Sequence, residues 1–503
     1  MFTSPNPSRS SIWTRLGVSI LAGTLLATQV QCGGGNEGSV ENTPASANSS
    51  EAAKAIAREN ALPGSSDWIL GTAARNGELA AYADRESYAA GSDVRISVSA
   101  NPPGQFSGKI FRMGGYGGKG GRLYAEGGPM LSPQQKDPTF EPTTGLVVAG
   151  WQPTFTVTTR HADGKAWLTG VYLVLLTKAD RLQTYAIFIV RDDSRDAEVA
   201  LHLPTATWHA YNDFGGESLY VSSRGIPGVH ARKVSLDRPI TLGFGSGKFL
   251  YEEAEAARWL EDRGYDVEYL SSVDIGGSAG RIGNHKLYVT VGHDEYATMA
   301  TMDRLEGALA AGTSLAFLTG NTLAWQVRYE ANDRVMVGYK EFAAAEDPMI
   351  NSITPRLTTA LFRDPIVNRP ENQITGVISD GSNNQQPAPW IVTNADHWVY
   401  ANTGLSNDSP IPNLVFYEWD SYVINEFTPL GVSVLASSVV PNNVIPGSRH
   451  EATIYERGRA FVFAAGTVYF NQHLQTEPAG PVGPVDQIFL NLLTRAGATA
   501  YQP

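Results

Sequence analysis

Cysteine is almost missing from this chain of 503 residues; Cys32 is the only one. An intrachain disulfide, a Cys-based zinc site and a Cys–His catalytic pair are therefore excluded from the folded body. The same scarcity excludes the cysteine nucleophile of a glutamine-amidotransferase-type enzyme. Positive charge is short as well: 38 Lys and Arg stand against 50 Asp and Glu, for a net charge of −12, and no dense basic cluster occurs. Nucleic acid is excluded as a partner, because phosphate binding needs a basic footprint. No His-Glu-x-x-His helix pair is present, which argues against a zinc protease. Gly243-Phe244-Gly245-Ser246-Gly247 places glycines around a serine but does not form the G-x-S-x-G elbow of a serine hydrolase.

What is plentiful is glycine (51) and proline (29), in a chain that is 42% hydrophobic. That composition is of a loop-rich soluble protein, long enough for two or three domains of roughly 100–200 residues each. Residues 1–31 read as an export signal, with Arg9 and Arg15 ahead of an apolar stretch, Leu16–Thr28, too short for a comfortable membrane span. Cys32 follows, then a Gly/Ser/Asn-rich tether over 32–66. This resembles a bacterial lipoprotein with Cys32 as the lipid-attachment site, so the expected location is the cell envelope, anchored to the outer membrane. Gln31 stands where such signals carry a small residue, and the alternative is a periplasmic or secreted protein without lipid. A lipid anchor is the one membrane contact expected.

Residues 67–191 alternate apolar and polar with turn residues at regular intervals, the pattern of an all-β sandwich. Within it, Phe111–Gly118 (FRMGGYGG) reads as glycines serving bulges and turns, or as a glycan-contacting surface. From 192 to 503 strands alternate with helical patterns, which predicts an α/β domain with a doubly wound, mostly parallel sheet. Further strand candidates are Gly376–Ser379, Asn413–Tyr417, Gly431–Ala436 and Ala460–Ala465.

The most informative stretch is Lys286–Trp325. Two short apolar runs, Lys286–Val291 and Ser314–Thr319, flank a helical pattern, Tyr296–Ala311, with Met299, Met302, Leu305 and Leu309 on one face; together they predict a βαβ unit. Polar residues follow each strand: His293, Asp294 and Glu295 after the first, Asn321 and Thr322 after the second. Ligands of open α/β sheets bind at that edge. Asp294 reads as a helix cap, whereas His293, Glu295 and Asn321 are candidates for chemistry. The loop Trp208–Tyr220 is rich in aromatics, which is commonly packing. Asp294, Glu295, Glu418, His450 and His473 offer other ligand sets, and spacing selects none of them.

TWHAYNDFGGESLY, LEDRGYDVEYLSSVD, GHDEYATMATMDRLEGALAAGTSLAFLTGNTLAWQVRYE and NLVFYEWD, taken in that order, resemble the C-terminal domain of the N,N-dimethylformamidase large (beta) subunit. The resemblance runs from about Ala197 to His473. It implies a glutamine-amidotransferase-like α/β fold and an amide hydrolase with a mononuclear, ferric iron. It further implies Tyr211, Tyr220 and Glu295 as metal ligands, with Tyr251 as the alternative to Tyr220. His293, Asn321 and Glu418 fall on catalytic positions. The implied substrate is a small amide, and the implied partner a small subunit or further copies of the chain. The competing expectation is a non-catalytic envelope binding protein, for a glycan or another ligand, that keeps the site as a relic.

Overall fold

A sheet of seven strands carries the site. In a computed structural model that describes residues 50–223, 230–441, 447–475 and 482–501, without the side chains of 381–385, its order is Val267–Ser271, Val199–Leu203, Leu287–Gly292, Ser314–Thr319, Ala460–Ala464, Arg449–Arg457, Ser433–Val439. The first five strands are parallel and the last two antiparallel. Helix Met299–Ala311 joins two of the parallel strands. It buries Met299, Met302, Leu305 and Leu309 and ends at Gly312, whose φ of +107° suits a glycine C-cap. Its cap is not Asp294. Tyr296–Thr298 is a short strand paired with Trp325–Glu330, and Thr298 closes the helix start by accepting from Thr301 N. Pairing with a neighbouring strand outweighed the helical spacing there.

The doubly wound parallel α/β fold is not what the chain adopts. Strand makes up 37% and helix 22%, mostly in antiparallel or mixed sheets, and the protein is mainly β. The reason lies in the connections. A parallel sheet needs long helical crossovers, but the last strands here join as a hairpin through Gly458. Two more candidate strands became the long antiparallel pair Ile378–Ile391 and Pro410–Ser421.

Between residues 72 and 191 the strands form two larger sheets, beside a short antiparallel pair, Thr139–Glu141 with Leu146–Val148. One of six strands centres on Gly104–Met113, Gly170–Lys178 and Leu182–Arg191; the other comprises Leu79–Ala83, Asp93–Ala100 and Phe155–Thr158. Ile96, Phe106, Val174 and Phe188 fill the space between them. The opposite face of the larger sheet, with Phe111, Leu173 and Ile187, shares a core with Val199, Leu201, Trp259 and Val289 of the seven-stranded layer. Sandwiched on both faces, its strands are apolar on both, as Gly170–Lys178 shows.

The described residues fall into one compact unit. Cys32, the expected signal and the first part of the tether lie outside the described residues. Residues 51–60, in the stretch expected to be flexible tether, form a helix that buries Ala53 and Ile56 and is capped by Ser50. Among the described residues no helix is long and apolar enough to cross a membrane.

One buried ion pair ties these layers together. Arg112, on the six-stranded sheet, makes a bidentate contact with Glu261 of helix Ala254–Asp262 at 2.7 and 2.8 Å, and neither side chain is exposed. Asn60 and the Tyr269 hydroxyl donate to the same carboxylate. The Gly-Gly of FRMGGYGG serves this junction. A Cβ on Gly114 would lie 2.7 Å from both Asn60 Oδ1 and Glu261 Oε2, and one on Gly115 1.4 Å from Asp262. Close approach, rather than a glycan surface, accounts for those two glycines, and Tyr116 beside them is buried.

Removing one member of a buried pair leaves an uncompensated charge. Arg112→Met is expected to cost about 3–5 kcal/mol in urea unfolding, and the double variant Arg112→Met/Glu261→Leu to recover most of it. A single variant as stable as the parent would refute this role.

Candidate active site

Glu295 lies buried just beyond the strand Leu287–Gly292, and both its oxygens are engaged by phenols. Tyr211 donates to Oε2 at 2.9 Å and Tyr220 to Oε1 at 2.6 Å. The two rings stack with centroids 4.1 Å apart. Tyr220 in turn accepts from the Tyr296 hydroxyl at 2.5 Å. Burial, with the Glu295 charge beside them, holds both phenols well above the ordinary tyrosine value. Tyr220 rather than Tyr251 completes this group; Tyr251 is 43% exposed.

Each arm of the cluster has a local cause. Helix Thr205–Tyr211 carries Tyr211, and its Thr207 hydroxyl accepts from Glu295 N at 3.1 Å. The chain then loops back to Tyr220. Buried Arg238 staples that loop by donating to the carbonyls of Asn212, Phe214 and Glu217, while Leu219 N bonds Ala210 O. Trp208 and His209 point elsewhere, to Glu253 and Glu86. Gly292 (φ +74°) turns the chain out of the strand. Past both strand ends the segments run side by side, with Leu323 N on Asp294 O at 2.8 Å and Trp325 N on Glu295 O at 3.0 Å.

A second group adjoins the first. His293 Nε2 lies 3.0 Å from Glu418 Oε2 and 3.6 Å from Glu295 Oε2. Asn321 Nδ2 donates to Glu418 Oε2, and Ser379 Oγ donates to Asn321 Oδ1, which fixes the amide's orientation. Glu418 comes from the long antiparallel pair, which crosses so closely that a Cβ on Gly320 would stand 2.5 Å from Glu418 O. Burial presses the Glu418 carboxyl upward, but His293, Lys248 and Asn321 outweigh it and hold it below its ordinary value. For His293 burial presses downward and Glu418 wins, with a net upward shift. All six residues from the resemblance other than Cys32 thus converge. His450 and His473 bond backbone carbonyls instead, of Ala465 and Tyr469.

Two lysines went unnoticed in the sequence. Lys248 Nζ lies 3.3 Å from His293 Nδ1 and 2.9 Å from Glu252. Lys340, at φ +54°, places Nζ 3.4 Å above the Tyr220 ring; burial lowers its ammonium's affinity for the proton against the pull of Glu295. Lys248 follows the glycine run already noted, whereas Lys340 carries no local pattern that singles it out.

Among the described residues no three His, Cys, Asp or Glu side chains form a group able to hold a metal. A metal at this point therefore draws on the phenols. Tyr211, Tyr220 and Glu295 fit one: three hard oxygen-bearing side chains meet at hydrogen-bond distance, and a cation in place of the two phenol protons leaves none of these oxygens without a partner.

Phenols and carboxylates gathered past the strand ends beside a histidine and an amide define a polar, largely buried site of the kind hydrolytic chemistry uses. The chain belongs to the family described as N,N-dimethylformamidase beta subunit-like, C-terminal, whose model matches residues 107–482. No curated protein matches it.

Behind Asn321 stands Asp420, which accepts from Thr322 N at 3.2 Å and Oγ1 at 2.6 Å. Burial pushes its carboxyl up from 3.8 to about 6. The folded state therefore binds this proton more tightly than the unfolded chain. The contribution to stability is complete below the ordinary carboxyl value and is lost as pH rises to about 6, on the order of 3 kcal/mol. In Asp420→Asn the fall of stability across that window is expected to be shallower than in the parent. Superimposable stability–pH curves would contradict the assignment.

Proposed function

We propose that this protein is an iron-dependent hydrolase of a small amide C–N bond. The observation that carries the reading is the sharing of one buried carboxylate, Glu295, by two phenols, Tyr211 and Tyr220, next to a His293–Glu418–Asn321 group. Family membership supports it, since the family's name is that of an amide-cleaving enzyme.

Tyr211, Tyr220 and Glu295 are the residues that would hold the metal. Two phenolates and a carboxylate would balance the three charges of a ferric ion, which when bound would supply Lewis acidity toward a carbonyl oxygen. The remaining work falls to the chain. Glu418, kept ionised by its neighbours, accepts the proton of the attacking water and returns it to the leaving amine. Asn321 is held by Ser379 with its amide hydrogens facing the site, and it donates to the oxygen on which negative charge develops. His293 holds Glu418 in place and shares its charge. Lys340 and Lys248 offset the carboxylates electrostatically, and burial of Glu295, Glu418, His293 and both lysines strengthens the interactions among them.

Export and attachment through Cys32 complete the proposal, placing the enzyme in the cell envelope, where a small amide is its substrate. The support is the Arg9/Arg15–apolar–Cys32 pattern alone.

The test is an amine-release assay on small amides with the iron-loaded chain. Turnover is expected, and Glu418→Gln should lower kcat by about 10²–10⁴-fold with little change in KM. If no small amide is cleaved, or if the variant keeps pace with the parent, the reading fails.

A further inference from the structure

The glycine run Gly243–Gly247 has no part in the chemistry above, yet it delivers a side chain to it. At Gly245 (φ +104°) a Cβ would stand 1.9 Å from the Tyr185 carbonyl oxygen, and at Gly247 (φ +63°) 2.4 Å from the Trp208 ring. Only glycine threads that passage. The chain then enters a π-helical turn, Phe249–Glu253, with Lys248 at its N-cap. Such turns are rare and favour functional sites. This one sets Lys248 beside Glu252 at 2.9 Å and packs directly on the strand end, where a Cβ on Gly292 would meet Glu252 Cβ at 3.0 Å. The ammonium is thereby buried 3.3 Å from His293 Nδ1, with the Tyr211 and Tyr417 rings 5.1 and 5.9 Å away.

An ammonium has hydrogens to give and no lone pair to accept one. In the neutral imidazole Nδ1 of His293 is then the acceptor, and the single proton sits on Nε2, facing Glu418 Oε2 at 3.0 Å. The other tautomer would set a ring N–H against the ammonium and a bare nitrogen against a carboxylate. Two hydrogen bonds would become two repulsions inside a buried site, where such contacts are costly. We propose that Lys248 is a positioning residue that locks His293 in the Nε2–H tautomer, so that the imidazole serves the site as a donor to Glu418. The usefulness of this lock rests on the hydrolase reading, but its existence does not.

The test reads the ring directly, without substrate. Histidine-labelled intact chain, freed of paramagnetic metal and held at mildly alkaline pH, is examined by nitrogen NMR, with His293→Gln to assign the signal. The expected result is a protonated Nε2 and a bare Nδ1, with the tautomer shifting in Lys248→Met and retained in Lys248→Arg, which keeps a cationic donor. A proton on Nδ1 of the parent overturns the proposal even where the methionine variant does not fold. So does an unchanged tautomer in a folded Lys248→Met. An amide screen that fails while the Nε2–H signature holds would sink the hydrolase reading and leave the lock standing.

Discussion

Two phenols on one buried carboxylate set the demands that the surrounding structure meets. Glu295 brings a negative charge to a place shielded from water, and each of its oxygens needs a donor there. Tyr211 supplies one from the end of a helix and Tyr220 the other from the segment that follows, so the chain between them must fold back on itself. Arg238 makes the fold-back possible by bonding three loop carbonyls from within. The strand end must also turn sharply, which Gly292 allows. The tight crossing at Gly320 then brings Glu418 over the second strand end.

Charge around this point is dense for a buried region. Glu252, Glu295 and Glu418 are opposed by Lys248 and Lys340, with His293 between them, and all are buried. Buried charges of this kind seldom add stability. The stability has to come from elsewhere, and the apolar core that runs from the six-stranded sheet into the seven-stranded layer is the main source. The Arg112–Glu261 pair sits within that contact and fixes how its two sides meet.

Local patterns were legible in the sequence wherever one periodicity ruled. Both strands and the buried face of helix Met299–Ala311 follow from apolar spacing. Asp294 misled because a strand, Tyr296–Thr298, intervenes before the helix, and its partner lies thirty residues on in the chain. The fold class misled for a related reason: parallel strands at the centre of the large sheet were extended by pattern to its edge, where hairpins take over. Short apolar runs look alike in both arrangements. His293, Glu295 and Asn321 were legible from position alone, at the ends of two adjacent strands. Tyr211, Tyr220 and Glu418 required the family resemblance, since each arrives from a distant segment. Lys248 was hidden behind glycines whose purpose only the packing reveals, and Lys340 reaches Tyr220 through a positive φ that no pattern announces.

The central claim is that Tyr211, Tyr220 and Glu295 act as one metal-holding unit. Its most direct test is the metal content and visible spectrum of the chain, purified without chelators and then offered ferric iron. The account predicts one iron per chain and a phenolate-to-iron absorption band that weakens in Tyr211→Phe and in Tyr220→Phe alike, and disappears when both are changed. A colourless chain that takes up no iron, or a band indifferent to both tyrosines, would contradict it.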